Sequence, residues 1–429
     1  MNNSTLSVLK NGIWIYFFLL IFEGALRRWV IPSFSEPLLL IRDVLAVYLL
    51  IIAVRNNYYP YNQIVTIVFW IGIISIFTSL FFGHRNLLVA LFGARILIIQ
   101  FPMLFLIGHI FNKQDIINMG KIILWLAIPM AVLITLQFYS PQSAWVNKGV
   151  GENIKGAGFS GANGYFRPPG TFSFTSGNVA FFCIVSSFVL YFWLKPQLIN
   201  KYLLIASSLA LIIAIPTSIS RSLVFQFIIS ISFFILVKLS QPGFLKNISQ
   251  LLIAILTILI ISINVNFLDT QVDTLIQRFD NAENAEGGIG GTISNRFLGG
   301  LINSFQVLDD NHILFGFGSG TGTSVGSKLL TGDVKYLISE GEWGRLLGEN
   351  GMILGLTLVL IRIYMSFNYL YLSFKFLRNG DPLPWMLMSI GFIILLQQQL
   401  SQPTNLGFYV LIGGLVLASF NKEEKETLQ

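Results

Sequence analysis

Apolar residues in this chain come in long unbroken runs rather than the short alternating segments of a transmembrane barrel. A helix needs ~20 mostly apolar residues to cross a bilayer. On that criterion about twelve spans are predicted. They lie near Gly12–Trp29, Pro37–Val54, Gln63–Phe82, Leu87–Phe111, Ile117–Tyr139, Ser173–Leu194, Tyr202–Ile219, Arg221–Leu239, Ile248–Phe267, Trp343–Leu370, Pro384–Leu400 and Asn405–Phe420. The expected fold is an all-α polytopic transmembrane helical bundle, one integral membrane domain over 1–429 with no internal repeat. Two connections are long, Ser140–Thr171 and Leu268–Glu342, and both contain many Gly, Asn, Asp and Ser residues. The second is expected to be partly helical, over the mixed-polarity stretch Arg296–Leu308.

Charge sorts between the two sides of this pattern. Lys10, Lys113, Lys121, Lys195, Lys201, Lys238, Lys246, Lys375, Lys422 and Lys425 fall in or near one set of loops. Arg27, Arg28, Arg42, Arg85, Arg95, Arg167, Arg221, Arg278, Arg296 and Arg345 fall in or near the other. Lysine in short inward loops is ordinary topology, which puts both termini in the cytoplasm and both long loops outside. Arginine on the outer side needs another reason. A guanidinium fork grips phosphate oxygens two at a time, so the outer face is expected to meet a lipid-linked phosphate.

Composition narrows the class. The chain is 54% hydrophobic and 11% charged, against about 25% charged in soluble proteins. The net charge of +7 is scattered between spans, which argues against a nucleic-acid partner. The single cysteine, Cys183, excludes an internal disulfide and a multi-cysteine metal site. His84, His109 and His312 have no ligand spacing, and the acids Asp269, Asp273, Asp280, Glu283 and Glu286 form no Asp-x-Asp pattern. These acids read as a solvated loop, and no metal or cofactor is expected. No small-residue cleavage site follows the first apolar run, so membrane entry is expected to use that span itself.

Several residues carry candidate chemistry. In the first span Ile13–Phe22 is too short to cross, so the helix is expected to continue through Glu23 and Arg27, an i,i+4 pair in the favourable order. Arg42 and Asp43 begin the next span from the same side, where the two clusters can meet. Arg95 lies roughly 12 Å below the outer surface at 1.5 Å per residue. It lines a binding cavity or pairs with Asp43. Arg221 sits in Ser218-Ile219-Ser220-Arg221-Ser222 between two spans. Hydroxyls, guanidinium and the next helix's N-terminus make an anion site there, unless Arg221 is a snorkelling interface arginine. Gly316-Phe317-Gly318-Ser319-Gly320-Thr321-Gly322 is neither a dinucleotide fingerprint nor a P-loop. Its glycines are expected to permit tight turns or close backbone approach. Glu340, Glu342 and Glu349 flank the tenth span around Arg345, either as a general base or as a solvated helix start, and residue type favours the latter.

These residues carry a resemblance. About twelve spans, Ser220-Arg221-Ser222 at a short outer turn and a long late outer loop are similar to the O-antigen ligase and O-antigen polymerase superfamily. So are Asn295-Arg296, Asp310-Asn311-His312-Ile313-Leu314-Phe315-Gly316-Phe317-Gly318 and Leu346-Leu347-Gly348-Glu349-Asn350-Gly351-Met352-Ile353-Leu354-Gly355. Gly24-Ala25-Leu26-Arg27-Arg28-Trp29 and Arg167-Pro168-Pro169-Gly170-Thr171-Phe172 resemble a bacterial exopolysaccharide polymerase subgroup. The resemblance implies a GT-C-like, metal-independent glycosyltransferase acting on polyprenyl-diphosphate-linked glycans at the outer face of the bacterial inner membrane. It implies that Arg221 and Arg296 contact the diphosphate, with Arg95, Arg167 and Arg42 as further candidates. Ligases of this family carry a His-Asn pair before the Glu-x-Gly element, where this chain has Glu340 and no histidine. A carboxylate would then deprotonate the acceptor hydroxyl, which favours a polymerase of repeat units over a ligase to lipid A core or protein. The expected partners are the lipid-linked donor, a glycan acceptor, membrane lipid and a chain-length regulator protein. The contrasting class is a transporter or flippase, which needs charge through the full depth of a path.

Overall fold

The computed structural model describes residues 3–152, 156–240, 268–286, 312–333, 337–339 and 341–421. Helix dominates. In chain order the principal elements are α1 (Asn3–Ala25), α2 (Ile41–Arg55), α3 (Gln63–Phe81), α4 (Leu87–Arg95), α5 (Phe101–Ile110), α6 (Lys113–Tyr139), β1 (Phe159–Ala162) and β2 (Tyr165–Arg167). Then come α7 (Thr175–Leu194), α8 (Lys201–Thr217), α9 (Arg221–Leu239), α10 (Asp269–Glu286), α11 (Ser324–Thr331), α12 (Glu342–Arg378), α13 (Leu383–Gln397) and α14 (Pro403–Ser419).

Among the described residues eight helical stretches are long and apolar enough to cross a membrane: Ser4–Val30, Pro32–Arg55, Gln63–Phe81, Leu87–Ile110, Lys113–Tyr139, Thr175–Leu194, Arg221–Leu239 and Glu342–Arg378. Three further expected spans are helices but shorter: Lys201–Thr217, Leu383–Gln397 and Pro403–Ser419. Polar turns stop them early, at Ser218–Ser220 and at Gln398–Gln402. The ninth expected span, Ile248–Phe267, lies outside the described residues, as does Arg296–Leu308. The first span runs on through Glu23 and Arg27 as its composition required, because a π-helical turn at Leu26–Val30 extends α1.

Helix starts follow side-chain capping, in which a short polar side chain accepts from an otherwise orphaned backbone N–H. Asn62, Asn86, Asn112, Asn200, Ser220 and Thr323 do this for α3, α4, α6, α8, α9 and α11. At Asn112 the cap is reciprocal with Asp115. The centre of the bundle is α14, most of whose residues are buried against α5, α13 and α7. Small hydroxyls stitch the interior: Ser187 donates to the Met386 carbonyl at 2.5 Å, and Gln226 to that of Ser389 at 2.7 Å.

The two ends of the bundle differ in charge. At one, Lys10 pairs with Asp115 and Lys113 with Asp381, each at 2.6 Å, and Asn421 holds the carbonyls of Gly108 and Phe111. The other collects Arg27, Arg28, Arg42, Arg95 and Arg345. Above this arginine end, α10 lies across α8 and the β1–β2 hairpin. Asp269, Asp273, Asp280 and Glu283 on α10 are exposed, as a solvated acidic stretch should be. The hairpin is a departure from an all-α reading. Asn163 and Gly164 take φ of 50° and 77°, the left-handed pair that a two-residue hairpin turn requires.

Gly24 lets the loop 171–173 lie directly on α1. A Cβ there would meet the Ser173 amide at 2.4 Å and the Thr171 carbonyl oxygen at 2.5 Å, both backbone. Gly24→Val is therefore expected to cost about 1–3 kcal/mol through overpacking. The check is the midpoint of thermal unfolding in detergent, which should fall.

Candidate functional site

At the arginine end, α1 with its π-helical extension, α2 and α4 supply six charged side chains, five of them buried. Glu23 accepts from Arg42 Nε at 2.7 Å and from Arg27 Nη1 at 3.4 Å. Arg27 also donates to the Ser35 carbonyl at 2.7 Å and to Ser173 Oγ at 3.1 Å. Arg42 Nη2 reaches the Pro403 carbonyl at 2.8 Å. Asp43 accepts from Arg95 Nη1 and from Gln100 Nε2, both at 2.6 Å, and Tyr16 donates to Gln100 at 2.7 Å. Arg28 donates through Nη2 to the Gly170 carbonyl, which Gln137 also contacts. Two π-helical turns aim these groups: Leu26–Val30 carries Arg27 and Arg28, and Ile96–Gln100 lies between Arg95 and α5. Such turns recur at functional sites because the widened helix re-aims its side chains.

The charges in this group do not balance. Three buried guanidinium groups, of Arg28, Arg42 and Arg95, stand against two buried carboxylates, Glu23 and Asp43, and Glu23 is also shared with the half-buried Arg27. Arg28 has no exposed surface, and Arg95 retains 8%. Nε and Nη1 of Arg28 and Nε and Nη2 of Arg95 have no hydrogen-bond partner among the described residues. The ring of Trp29 lies 4.4 Å from the Arg28 guanidinium carbon, and that of Phe92 lies 4.0 Å from that of Arg95. Cation–π contact is worth about 2 kcal/mol when desolvated. An uncompensated buried charge costs several. A bound anion would close the difference.

The candidate residues distribute as follows. Arg95 makes the anticipated ion pair with Asp43, but that pair engages only one of its guanidinium nitrogens. Arg42 is tied to Glu23 and Pro403. Arg167, on β2, stacks 5.4 Å over Phe159. Arg221 opens α9 behind a strained residue: Ile219 is fully buried at φ +48°. A β-branched side chain in that region costs on the order of 1–3 kcal/mol and persists where the surroundings impose it. Of the adjacent hydroxyls, Ser218 is committed to local backbone. Ser218 donates to the Ile215 carbonyl, whereas Ser220 Oγ accepts from the Leu223 amide as helix cap and keeps its own hydrogen to donate. Ile219 packs against Gly161 of the hairpin, and the same segment runs on to Gly170, which Arg28 holds. Nine residues separate Gly161 from Gly170, a reach of at most about 32 Å. Arg296 and Glu340 lie outside the described residues.

The start of α12 is not solvated, which corrects the expectation for Glu342 and Glu349. These carboxylates are 3% and 2% exposed. Arg345 forks onto Glu342 at 2.7 and 2.9 Å and reaches Glu349 at 2.5 Å. Arg362 donates to Glu342 at 2.9 Å and to the carbonyls of Leu395, Ile394 and Gln398, at the C-terminus of α13. The Leu400 amide also donates to Glu342, and the Gly322 amide to Glu349. Two cations meet two anions here, so this cluster is closed. Gly351 (φ +70°) breaks α12, and the freed carbonyls of Gly348 and Glu349 accept from the Phe317 and Gly318 amides at 2.8 and 3.0 Å. The glycine-rich loop thus approaches its own helices: Gly316 abuts Gly351, and Gly320 abuts Val89 and Gly93.

That loop bounds a cavity of about 310 Å³ lined by Gly83, His84, His312, Phe317, Thr321, Leu337 and Ile338. Sequence spacing separates His84 from His312 by more than two hundred residues and offered no signal that they share it. Arg28 was likewise legible only as one of many outer arginines. Among the described residues no group of three or more His, Cys, Asp or Glu side chains has metal-site geometry. No protein-family model matches the chain, and no curated protein matches it in sequence.

Two outcomes follow from these clusters. Glu342→Gln would leave Arg345 and Arg362 buried without their shared carboxylate. It should destabilise the protein by about 3–5 kcal/mol, read as a lowered unfolding midpoint in detergent. The second concerns pH. His84 Nδ1 accepts from the Asn86 amide at 3.0 Å, so Nε2 carries the hydrogen donated to the Ser319 carbonyl at 3.1 Å. Burial holds the pKa of His84 below its ordinary 6.5, with the Ser319 contact acting the other way. The unfolded or open state therefore binds the proton first. His84 contributes stability that is fully present above pH 6.5 and is lost as pH falls through that value toward the depressed one. Amide hydrogen exchange at Phe317–Thr323, corrected for intrinsic rates, should accelerate below that pH in the wild type. His84→Gln should remove the dependence.

Proposed function

We propose that this protein is an integral-membrane glycosyltransferase that polymerises polyprenyl-diphosphate-linked oligosaccharide repeat units into a surface polysaccharide at the outer face of the bacterial inner membrane. The observation that carries this reading is the surplus of buried guanidinium at one end of the bundle. Three buried guanidinium groups face two buried carboxylates, Arg28 contacts neither, and Arg28 and Arg95 hold N–H groups that no described residue satisfies. A diphosphate supplies the missing charge and accepts bidentate guanidinium contacts. Its lipid tail suits a site reached from within the membrane. The resemblance of the Ser220-Arg221-Ser222 turn and the late outer loop to O-antigen polymerases and ligases points the same way.

In this mechanism Arg28, Arg95, Arg42, Arg167, Arg221 and Arg296 form the basic surface for the donor diphosphate. A hydroxyl of the incoming repeat unit attacks the donor's anomeric carbon while Glu340 takes its proton. The bond from that carbon to the diphosphate oxygen breaks, and negative charge grows on the leaving group. Fixed guanidinium groups stabilise that charge more than the ground state. Both termini and the lysine end then face the cytoplasm, in keeping with positive-inside sorting. Arg362, the deep charge that a transport path would need in the late spans, is committed to Glu342 and the α13 carbonyls.

The test uses purified full-length protein in nanodiscs with a synthetic polyprenyl-diphosphate repeat unit. The wild type should give a ladder of products. Arg28→Ala should lower the rate by ~10²–10³, as loss of an oxyanion donor does, and Arg28→Lys by less. Arg221→Ala and Glu340→Gln should give no ladder. Full ladders from Arg28→Ala and Arg221→Ala would sink the site assignment. A wild type that makes no product yet moves the lipid across vesicles would replace the enzyme with a transporter.

A further inference from the structure

The described wall of the cavity beside the glycine-rich loop is uncharged and largely apolar. Among the described residues no Arg, Lys, Asp or Glu lines it, and its described wall is His84, His312, Phe317, Thr321, Leu337, Ile338 and the bare backbone of Gly83. Both ring nitrogens of His84 are engaged by backbone, one as acceptor and one as donor, so it presents a neutral ring. The Thr321 hydroxyl gives its proton to the Gly318 carbonyl at 2.7 Å, which leaves the oxygen able to accept. His312 stacks on Phe317 with ring centroids 4.4 Å apart. Apolar and aromatic surface with a few fixed polar atoms suits a neutral amphipathic ligand. A sugar ring, with a C–H face and a hydroxyl rim, is such a ligand. At about 310 Å³ the space is at the small end of ligand pockets.

The wall is rigid and lies next to the arginines. Its loop is held by the Gly348 and Glu349 carbonyls on α12 and by Ser79 Oγ, which accepts from the Ser319 amide at 2.8 Å. It touches α4 at Gly93, two residues before Arg95. A polymerase must bring a second saccharide to its donor. We propose that the His84–His312 cavity is the acceptor subsite, which holds the terminal sugar of the incoming repeat unit through Thr321, His312 and the apolar wall of Leu337 and Ile338. This assignment rests on the glycosyltransferase reading and adds to it the place and chemistry of the second substrate.

Leu337→Trp fills the cavity, Leu337→Ala enlarges it, and Thr321→Val removes the accepting oxygen. Saturation-transfer NMR with the free oligosaccharide repeat unit, lacking lipid and diphosphate, reads binding. Steady-state polymerisation reads the KM for acceptor. Donor cleavage by water without acceptor reports that the donor site is intact. Leu337→Trp and Thr321→Val should each raise acceptor KM by roughly tenfold or more, the worth of one good contact. Both should weaken oligosaccharide binding and leave donor cleavage unchanged. An acceptor KM within twofold of wild type in Leu337→Trp, or undiminished oligosaccharide binding by it, overturns the proposal. If the wild type makes no ladder, the glycosyltransferase reading fails by itself. Saccharide binding then decides the cavity: loss in Leu337→Trp supports a sugar site, and retention overturns it.

Discussion

Positive charge buried in excess of its counter-charge is the constraint around which the arginine end is organised. Burying a guanidinium is tolerable when its hydrogen bonds are made and its charge is matched. Arg42 meets both conditions through Glu23 and the Pro403 carbonyl. Arg28 and Arg95 do not, since each keeps two nitrogens without a described partner. The π-helical turns at Leu26–Val30 and Ile96–Gln100 and the left-handed Ile219 are departures from ideal geometry at this same end. Strain and uncompensated charge are features a stability-optimised bundle would shed, and they fit the anion site proposed above.

The second charged cluster shows the opposite design. Arg345 and Arg362 against Glu342 and Glu349 form a neutral, fully bonded set. Its effect is to fix three things together: the first turns of α12, the C-terminal carbonyls of α13 and the glycine-rich loop. The break at Gly351 makes this possible, because an unbroken helix would have used the Gly348 and Glu349 carbonyls internally. The loop is thereby a rigid wall, and the cavity with His84 and His312 takes its shape from that wall.

Much of this was readable along the chain where the physics is local. The Glu23–Arg27 contact follows from i,i+4 spacing, and the Arg345 pairs with Glu342 and Glu349 have helical spacing as well. Helix starts sit at Asn, Ser and Thr residues that can cap. The hairpin carried its own signal, Asn163-Gly164 between aromatic residues, which the dominance of apolar helical runs obscured. Residue type misled at Glu342 and Glu349. An acid in a first turn is usually solvated, and only the neighbours from α13 and the glycine loop make burial tolerable there.

By itself, the sequence determined that the chain forms apolar helices of membrane-spanning length and that most of its arginines fall on the side opposite to most of its lysines. Both are properties of composition within a run, since transfer into hydrocarbon depends on the residues of each segment. Only the tertiary structure decided which arginines are neutralised and which are left with open hydrogen-bonding positions. The pairs that settle this join residues 23 and 42, 43 and 95, and 342 and 362. No helical periodicity relates the partners across such separations. Charge matching there is set by which helices pack side by side, and that is fixed only when the bundle closes.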